Sequence, residues 1–249
     1  MLGHFGASAR PLLHPTPRVP RPRIARQIRD ALGDVTSVVN VGAGVGSYEP
    51  TDCSVLAVEP SPTMLGQRGP TAAPAVEAVA EGLPFGDATF DGAMAVLTVH
   101  HWLDIARGLT ELRRVTRGTI VVLTWDHDVH SQQWLIEEYL PGMLDLDTQC
   151  PSPSEIATAL GGASIQVVNV PADCTDGFCH AWWRRPEAYL DPTVRAGISG
   201  IARLPADDVD AAMQRLERDI TAGVWHDRHA DLLTCETHDA GYRLVVTTT

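Results

Sequence analysis

Three glycines at alternate positions, Gly42, Gly44 and Gly46, follow directly on the apolar run VVNV. Glycine there lets the chain turn tightly and lets a ligand approach the backbone. Glu59 closes the next apolar run, SVLAVE, 17 residues after Gly42. A carboxylate in that place accepts hydrogen bonds from both ribose hydroxyls of an adenosine ligand. Further on, LTVHHWLD (97–104) carries His100 and His101. An imidazole titrates near neutrality and suits proton transfer. Of the two, His101 is the favoured general base or acceptor-orienting group. The alternative for both, and the favoured one for His100, is capping the following helix or bonding to the backbone.

Aromatic residues accompany this chemistry. Trp102 and Trp125 fall near strand ends, where they would wall an apolar or cationic substrate or simply pack the core. Tyr48, just past the glycine turn, would hydrogen-bond in the same cavity. CHAWWRRPEAYL (179–190) gathers Trp182, Trp183, Arg184, Arg185 and Tyr189. Trp182 and Arg185 are candidate substrate contacts, an arginine being suited to a carboxylate. Structural packing is the competing account of this stretch. WDHDVH (125–130) offers Asp126, His127, Asp128 and His130. Mixed His and Asp at such spacings in a loop is a weak metal signal, and no metal site is expected.

The elements that must position these groups alternate. TSVVNVG (36–42), SVLAVE (54–59), AVEAVA (75–80), FDGAMAV (90–96), TIVVLTW (119–125), SIQVVNV (164–170) and YRLVVTT (242–248) read as strands. Their apolar runs fit burial on both faces of a parallel sheet. Ile24, Ile28 and Leu32 mark a helix at four-residue spacing. In DIARGLTELRRVT, Ile105, Leu109, Leu112 and Val115 form one stripe and Asp104 caps the start. Strands alternating with helices imply right-handed crossovers. The expected fold is α/β: a Rossmann-like, doubly wound, mostly parallel seven-stranded sheet. Residues 1–20 read as an irregular arm and 21–249 as a single domain, with helical cap segments at 126–163 and 171–240.

The glycine turn has two candidate ligands. A dinucleotide fingerprint is G-x-G-x-x-G, with pyrophosphate on a helix N-terminus. Here Ser47 stands where its third glycine would be, and Glu49 follows closely. A carboxylate near the turn would repel pyrophosphate. S-adenosylmethionine (SAM) carries no phosphate and escapes that objection.

VNVGAGVG, AVEPS and EGLPFGDATFDGAMAV together resemble the motifs of the class I SAM-dependent methyltransferases, in the branch that acts on small molecules. The resemblance spans about 36–125, and more loosely the last strand. It implies that Gly42 and Gly44 meet the amino-acid part of SAM. Glu59 would meet the ribose, Pro60 and Ser61 would flank the adenine, and Ala80 and Glu81 would edge it. Ala43, Gly46 and Leu97 complete the expected cofactor set. Many relatives carry Asp before the Ala-Glu pair; Val79 stands there instead. The implied reaction moves a methyl group to a small molecule and leaves S-adenosylhomocysteine. A non-methylating enzyme on the same scaffold, or a SAM-binding regulator or partner subunit, is the alternative.

Bulk properties agree with this reading. The 249 residues suffice for one large domain. The formal net charge of −12 argues against a nucleic-acid partner. The odd count of five cysteines, with no C-x-x-C, points away from a disulfide framework or zinc knuckle. No apolar run is long enough to span a membrane, no secretory core is visible, and a cytoplasmic location is expected.

Overall fold

The structure is a computed structural model that describes residues 22–146 and 150–248. The expected arm at 1–20 lies outside them. Among the described residues nine strands form: β1 (Ser37–Val41), β2 (Ser54–Val58), β3 (Ala75–Val76), β4 (Phe90–Val96), β5 (Thr116–Trp125), β6 (Ser164–Val167), β7 (Val170–Pro171), β8 (Thr237–His238) and β9 (Tyr242–Thr248). Seven of them make one sheet in the order β3-β2-β1-β4-β5-β9-β6. β1 to β5 pair in parallel, and β9 runs antiparallel to both β5 and β6. The order reverses between β1 and β4, which opens a crevice at their carboxyl ends. β7 and β8 pair apart from this sheet as a two-stranded ribbon.

Both faces of the sheet are covered, which explains the nearly unbroken apolar runs. Neighbouring strand residues point to opposite faces. Val38, Met94, Val121 and Leu123 pack with Ile24, Ile28 and Leu32 of α1 (Pro22–Leu32). α2 (Pro62–Gly66) follows β2. On the other face Val39, Ala93, Ile120 and Val122 pack with Leu109, Leu112 and Val115 of α3 (Ile105–Val115). Asp104 caps α3 by accepting from the Arg107 N–H at 3.0 Å.

The remaining helices are α4 (His127–Ser131), α5 (Met143–Leu146), α6 (Pro153–Ala159), α7 (Pro192–Ala196), α8 (Ser199–Ala202), α9 (Ala206–Thr221), α10 (Val224–Arg228) and α11 (Ala230–Thr234). A third core holds the cap: Trp134, Ile136 and Tyr139 pack with Tyr189, Ile201, Leu216 and Trp225. The cap segments differ from the expected ones at one place. α6 lies on the sheet, where Ile156, Ala157 and Leu160 join the α3 face. The third core draws on residues from Trp134 to Met143 and from Cys179 to Trp225.

Leu112 is fully buried between α3 and the sheet. Leu112→Ala is expected to cost about 2–5 kcal/mol. Urea unfolding monitored by circular dichroism reads this as a lower midpoint with an unchanged slope.

Candidate functional site

A cavity of about 660 Å³ opens at the carboxyl ends of β1 and β4. One end is built by the glycine turn. Gly42 and Gly44 have φ of +71° and +53°, a region that favours glycine. A Cβ on Gly42 would collide with the Thr98 side chain. The Gly42 and Ala43 N–H groups both donate to the Val58 carbonyl, at 2.8 and 3.0 Å, tying the turn to the end of β2. Glu59 follows. Its carboxylate accepts from the Gly44 N–H at 2.7 Å and the Ser61 N–H at 2.9 Å. It is nearly buried, yet lines the cavity beside Pro60 and Ser61. Ser61 also caps α2.

Asn40, in β1, also faces the cavity. Its Nδ2 donates to Glu49 at 3.2 Å, while its Oδ1 is buried without a partner among the described residues. Ala43, Ala80, Glu81 and Leu97 complete this end. Val79 lines it too and is 46% exposed. The Glu81 carboxylate accepts from the Leu103 and Asp104 N–H groups at 2.7 and 3.0 Å. It thereby pins the turn that carries the two histidines. Leu97 has φ of +50° directly after β4. Such a backbone costs about 1–3 kcal/mol and persists where its surroundings fix it.

The other end is aromatic. His100 and His101 lie on a short 3-10 turn, Val99–His101, with ring centroids 3.8 Å apart. The two differ in setting. His101 is exposed at the cavity rim, whereas His100 is partly buried and packs edge-on against Trp125 at 4.6 Å. Burial, aided by the nearby His101, Arg203 and His130, pushes the His100 imidazole well below its usual range. Trp102 rests on α3 at Gly108, where a Cβ would strike its ring. Tyr48 has φ of +63° and donates its hydroxyl to Asp176. Asp176, Phe178, Cys179 and Tyr242 line the cavity, and Met143, Ile198 and Arg203 reach it from the cap.

Some expected site residues lie elsewhere. Gly46, Trp182 and Arg185 do not line the cavity. Arg185 stacks over Trp182 at 4.3 Å and donates to the Cys174 carbonyl. Arg184 donates to the Cys235 carbonyl at 2.7 Å, and Trp183 is buried with its indole N–H on Val170. Packing thus accounts for the WWRR stretch. In WDHDVH, Asp126 caps α4, His127 bonds the Cys150 carbonyl at 3.0 Å, and Trp125 and His130 line the cavity. Cys53 and Cys235 are free thiols.

Glu49 does not set its charge against a pyrophosphate at the turn, as its place in the sequence suggested. Glu49 lies outside the cavity lining and pairs with Arg68 at 2.7 Å, so its charge is met behind the turn. A different observation weighs against pyrophosphate. Between β1 and β2 the chain forms turns and no helix, so no helix N-terminus is offered.

Residues missed in the sequence fall into two groups. Asn40 was visible as an amide inside an apolar strand run. Asp176, Phe178, Cys179, Ile198 and Arg203 carried no local signal, because only the cap's folding brings them to the cavity.

A family model described as "Methyltransferase domain" matches residues 39–122. Among solved structures, a candidate methyltransferase from an antibiotic biosynthesis pathway of Anabaena variabilis is 31% identical, with a TM-score of 0.86. That match covers 93% of this chain and 99% of the other. The [4+2]-cyclase SpnF matches in fold at 14% identity and a TM-score of 0.51, over 91% of this chain and 80% of its own. YcgJ of Bacillus subtilis does so at 16% and 0.50, over 88% and 96%. A comparison with curated proteins finds no match.

The state of His100 has a consequence for stability. In an unfolded chain histidine titrates near pH ~6.5. Folded His100 stays neutral below that, so the unfolded chain binds more protons there and stability falls with pH. Between about pH 7 and 5 the thermal midpoint is expected to drop, and in His100→Gln to drop less steeply. Equal slopes would show that His100 does not titrate as a buried neutral imidazole.

Proposed function

The chain belongs to the class I SAM-dependent methyltransferase family, and we propose that it transfers a methyl group from SAM to a small-molecule acceptor. The observation that carries this reading is the continuity of one cavity. The glycine turn and Glu59 form one end, and the aromatic cap-covered region forms the other. A volume of about 660 Å³ falls within the usual range for small-ligand sites.

The residues present fit SAM. Glu59 keeps lone pairs beyond its two backbone donors, suited to ribose hydroxyls. The orphaned Asn40 Oδ1 is an acceptor for an ammonium, and the open glycine backbone takes the amino-acid end. Ala80 and Glu81 would edge the adenine, with Pro60 and Ser61 on its other side. Val79 brings no carboxylate to the adenine amino group, so that contact falls to the backbone.

SAM supplies an electrophilic methyl group on its sulfonium. The protein's part is alignment and exclusion of water. Leu97, at the strained end of β4, would pack near the methyl. Trp102 and Trp125 would wall the acceptor, and Tyr48, held by Asp176, would orient it. Where the acceptor must lose a proton, His100 and His101 are the available bases. His100 is neutral and faces inward, while His101 stands at the rim.

Support for this reading also comes from the relative with the antibiotic-pathway description, which shares nearly the full length. A small acceptor accords with the cap, since Met143, Ile198 and Arg203 narrow access.

Thermal unfolding with SAM, S-adenosylhomocysteine and NAD tests the cofactor. A ligand at 100 times its dissociation constant adds about 2.7 kcal/mol, or about 5–10 °C at this size. Both SAM and S-adenosylhomocysteine should raise the midpoint and NAD should not. A rise with NAD alone would overturn the proposal. Glu59→Ala should abolish most of the rise, because it removes a charged acceptor from a nearly buried site.

A further inference from the structure

The far wall of the cavity carries three side chains that methyl transfer does not use. Cys179 and His180 are consecutive, on the chain between β7 and the 3-10 turn Pro186–Leu190. His130 lies at the end of α4. All three are buried, and their sulfur and ring nitrogens can all lie within 4.8 Å of one another. The His130 and His180 rings meet edge to face at 4.4 Å. His130 and Cys179 line the cavity, and His180 sits behind them.

The His180 Nε2 is buried with no hydrogen-bond partner among the described residues. A native interior rarely leaves such an atom without a partner, an ion or a water. We propose that His130, Cys179 and His180 form a binding site for a zinc-type divalent cation, with its fourth position open to the cavity.

The donor set argues for the metal class. One thiolate and two imidazoles suit zinc, whereas magnesium and calcium take oxygen ligands. Tetrahedral bonds of about 2.0–2.3 Å ask for ligand separations of about 3.3–3.7 Å. The cluster, whose ligand atoms lie within 4.8 Å of one another, is somewhat wider than that span, so a bound ion would draw the three side chains together. Three protein ligands with one open position is the arrangement of reactive rather than purely structural zinc sites.

The supports of the cluster also fit. A backbone hydrogen bond at Ala240 holds the His130 ring. Tyr189 donates to the Cys179 carbonyl at 2.8 Å, and the His180 N–H donates to the Tyr242 hydroxyl at 3.3 Å. Such outer partners orient metal ligands. The Trp125 ring, 5.6 Å from His130, shields the site from the strand side.

A cation there would take an oxygen, nitrogen or sulfur of the acceptor at its open position. That role rests on the methyltransferase reading; the metal site itself does not.

Cobalt(II) is the probe. The full-length protein is stripped with chelator and titrated with Co²⁺. A thiolate-to-cobalt charge-transfer band should grow to saturation at a single equivalent and vanish on adding Zn²⁺. Cys179→Ser should lose the band, and His180→Asn should bind more weakly. Cys53→Ser/Cys150→Ser/Cys235→Ser removes the more accessible thiols and should keep it, so the assignment is still tested if Cys179→Ser does not fold. No band in the wild-type protein, a band unchanged in Cys179→Ser, or a band lost from the triple variant would overturn the proposal. None of these readings depends on SAM binding.

Discussion

The glycine turn is fastened from behind by one buried ion pair, and the geometry of the site follows from it. Arg68 pairs with Glu49 at 2.7 Å, both side chains being only 7% exposed. Arg68 also donates to the Gly44 carbonyl at 2.9 Å and to the Ala73 carbonyl at 2.9 Å. Glu49 accepts from Asn40 and from the Ala73 N–H. Four separate segments are joined through two side chains. Breaking such a pair by removing one partner typically costs about 3–5 kcal/mol, since the other charge stays buried. Each outward bond also leaves a group facing inward. Asn40 spends its amide N–H on Glu49 and presents its oxygen to the cavity. Gly44 gives its carbonyl to Arg68 and its N–H to Glu59.

The second constraint is the sheet's reversal between β1 and β4. It sets the turn after β1 against the turn after β4, so that Gly42 touches Thr98. Glu81 then fixes the loop after β4 through the backbone at Leu103 and Asp104. The histidines are therefore positioned by hydrogen bonds from the cofactor side of the cavity. Leu103 itself is 97% exposed at the rim, a large apolar side chain left beside the opening.

The strands, α1, α3 and the Glu59 turn were legible because each is determined locally. Burial on both faces makes apolar runs, and Asp104 marks its helix start. The glycine-turn half of the cavity was legible for the same reason, since it is built from strand ends and the turns that follow them. The aromatic half was not. Trp182 and Arg185 looked like substrate contacts by composition, but they satisfy each other and the backbone. The residues that line it, such as Asp176, Phe178 and Ile198, come from cap loops with no periodic pattern. His100 and His101 are adjacent and alike in sequence. The packing of Trp125 against His100 separates the partly buried imidazole from the exposed one. Glu49 shows the same limit: its sign was plain, but its Arg68 partner and its direction were not.

A crystal structure with S-adenosylhomocysteine bound tests the account most directly. Ribose hydroxyls are expected on the Glu59 carboxylate, and the amino-acid end against Asn40 and the Gly42–Gly44 backbone. The sulfur would point past Leu97 toward His100 and Trp125. A ligand bound elsewhere, or one seated with Glu59 turned away from the ribose, would contradict it.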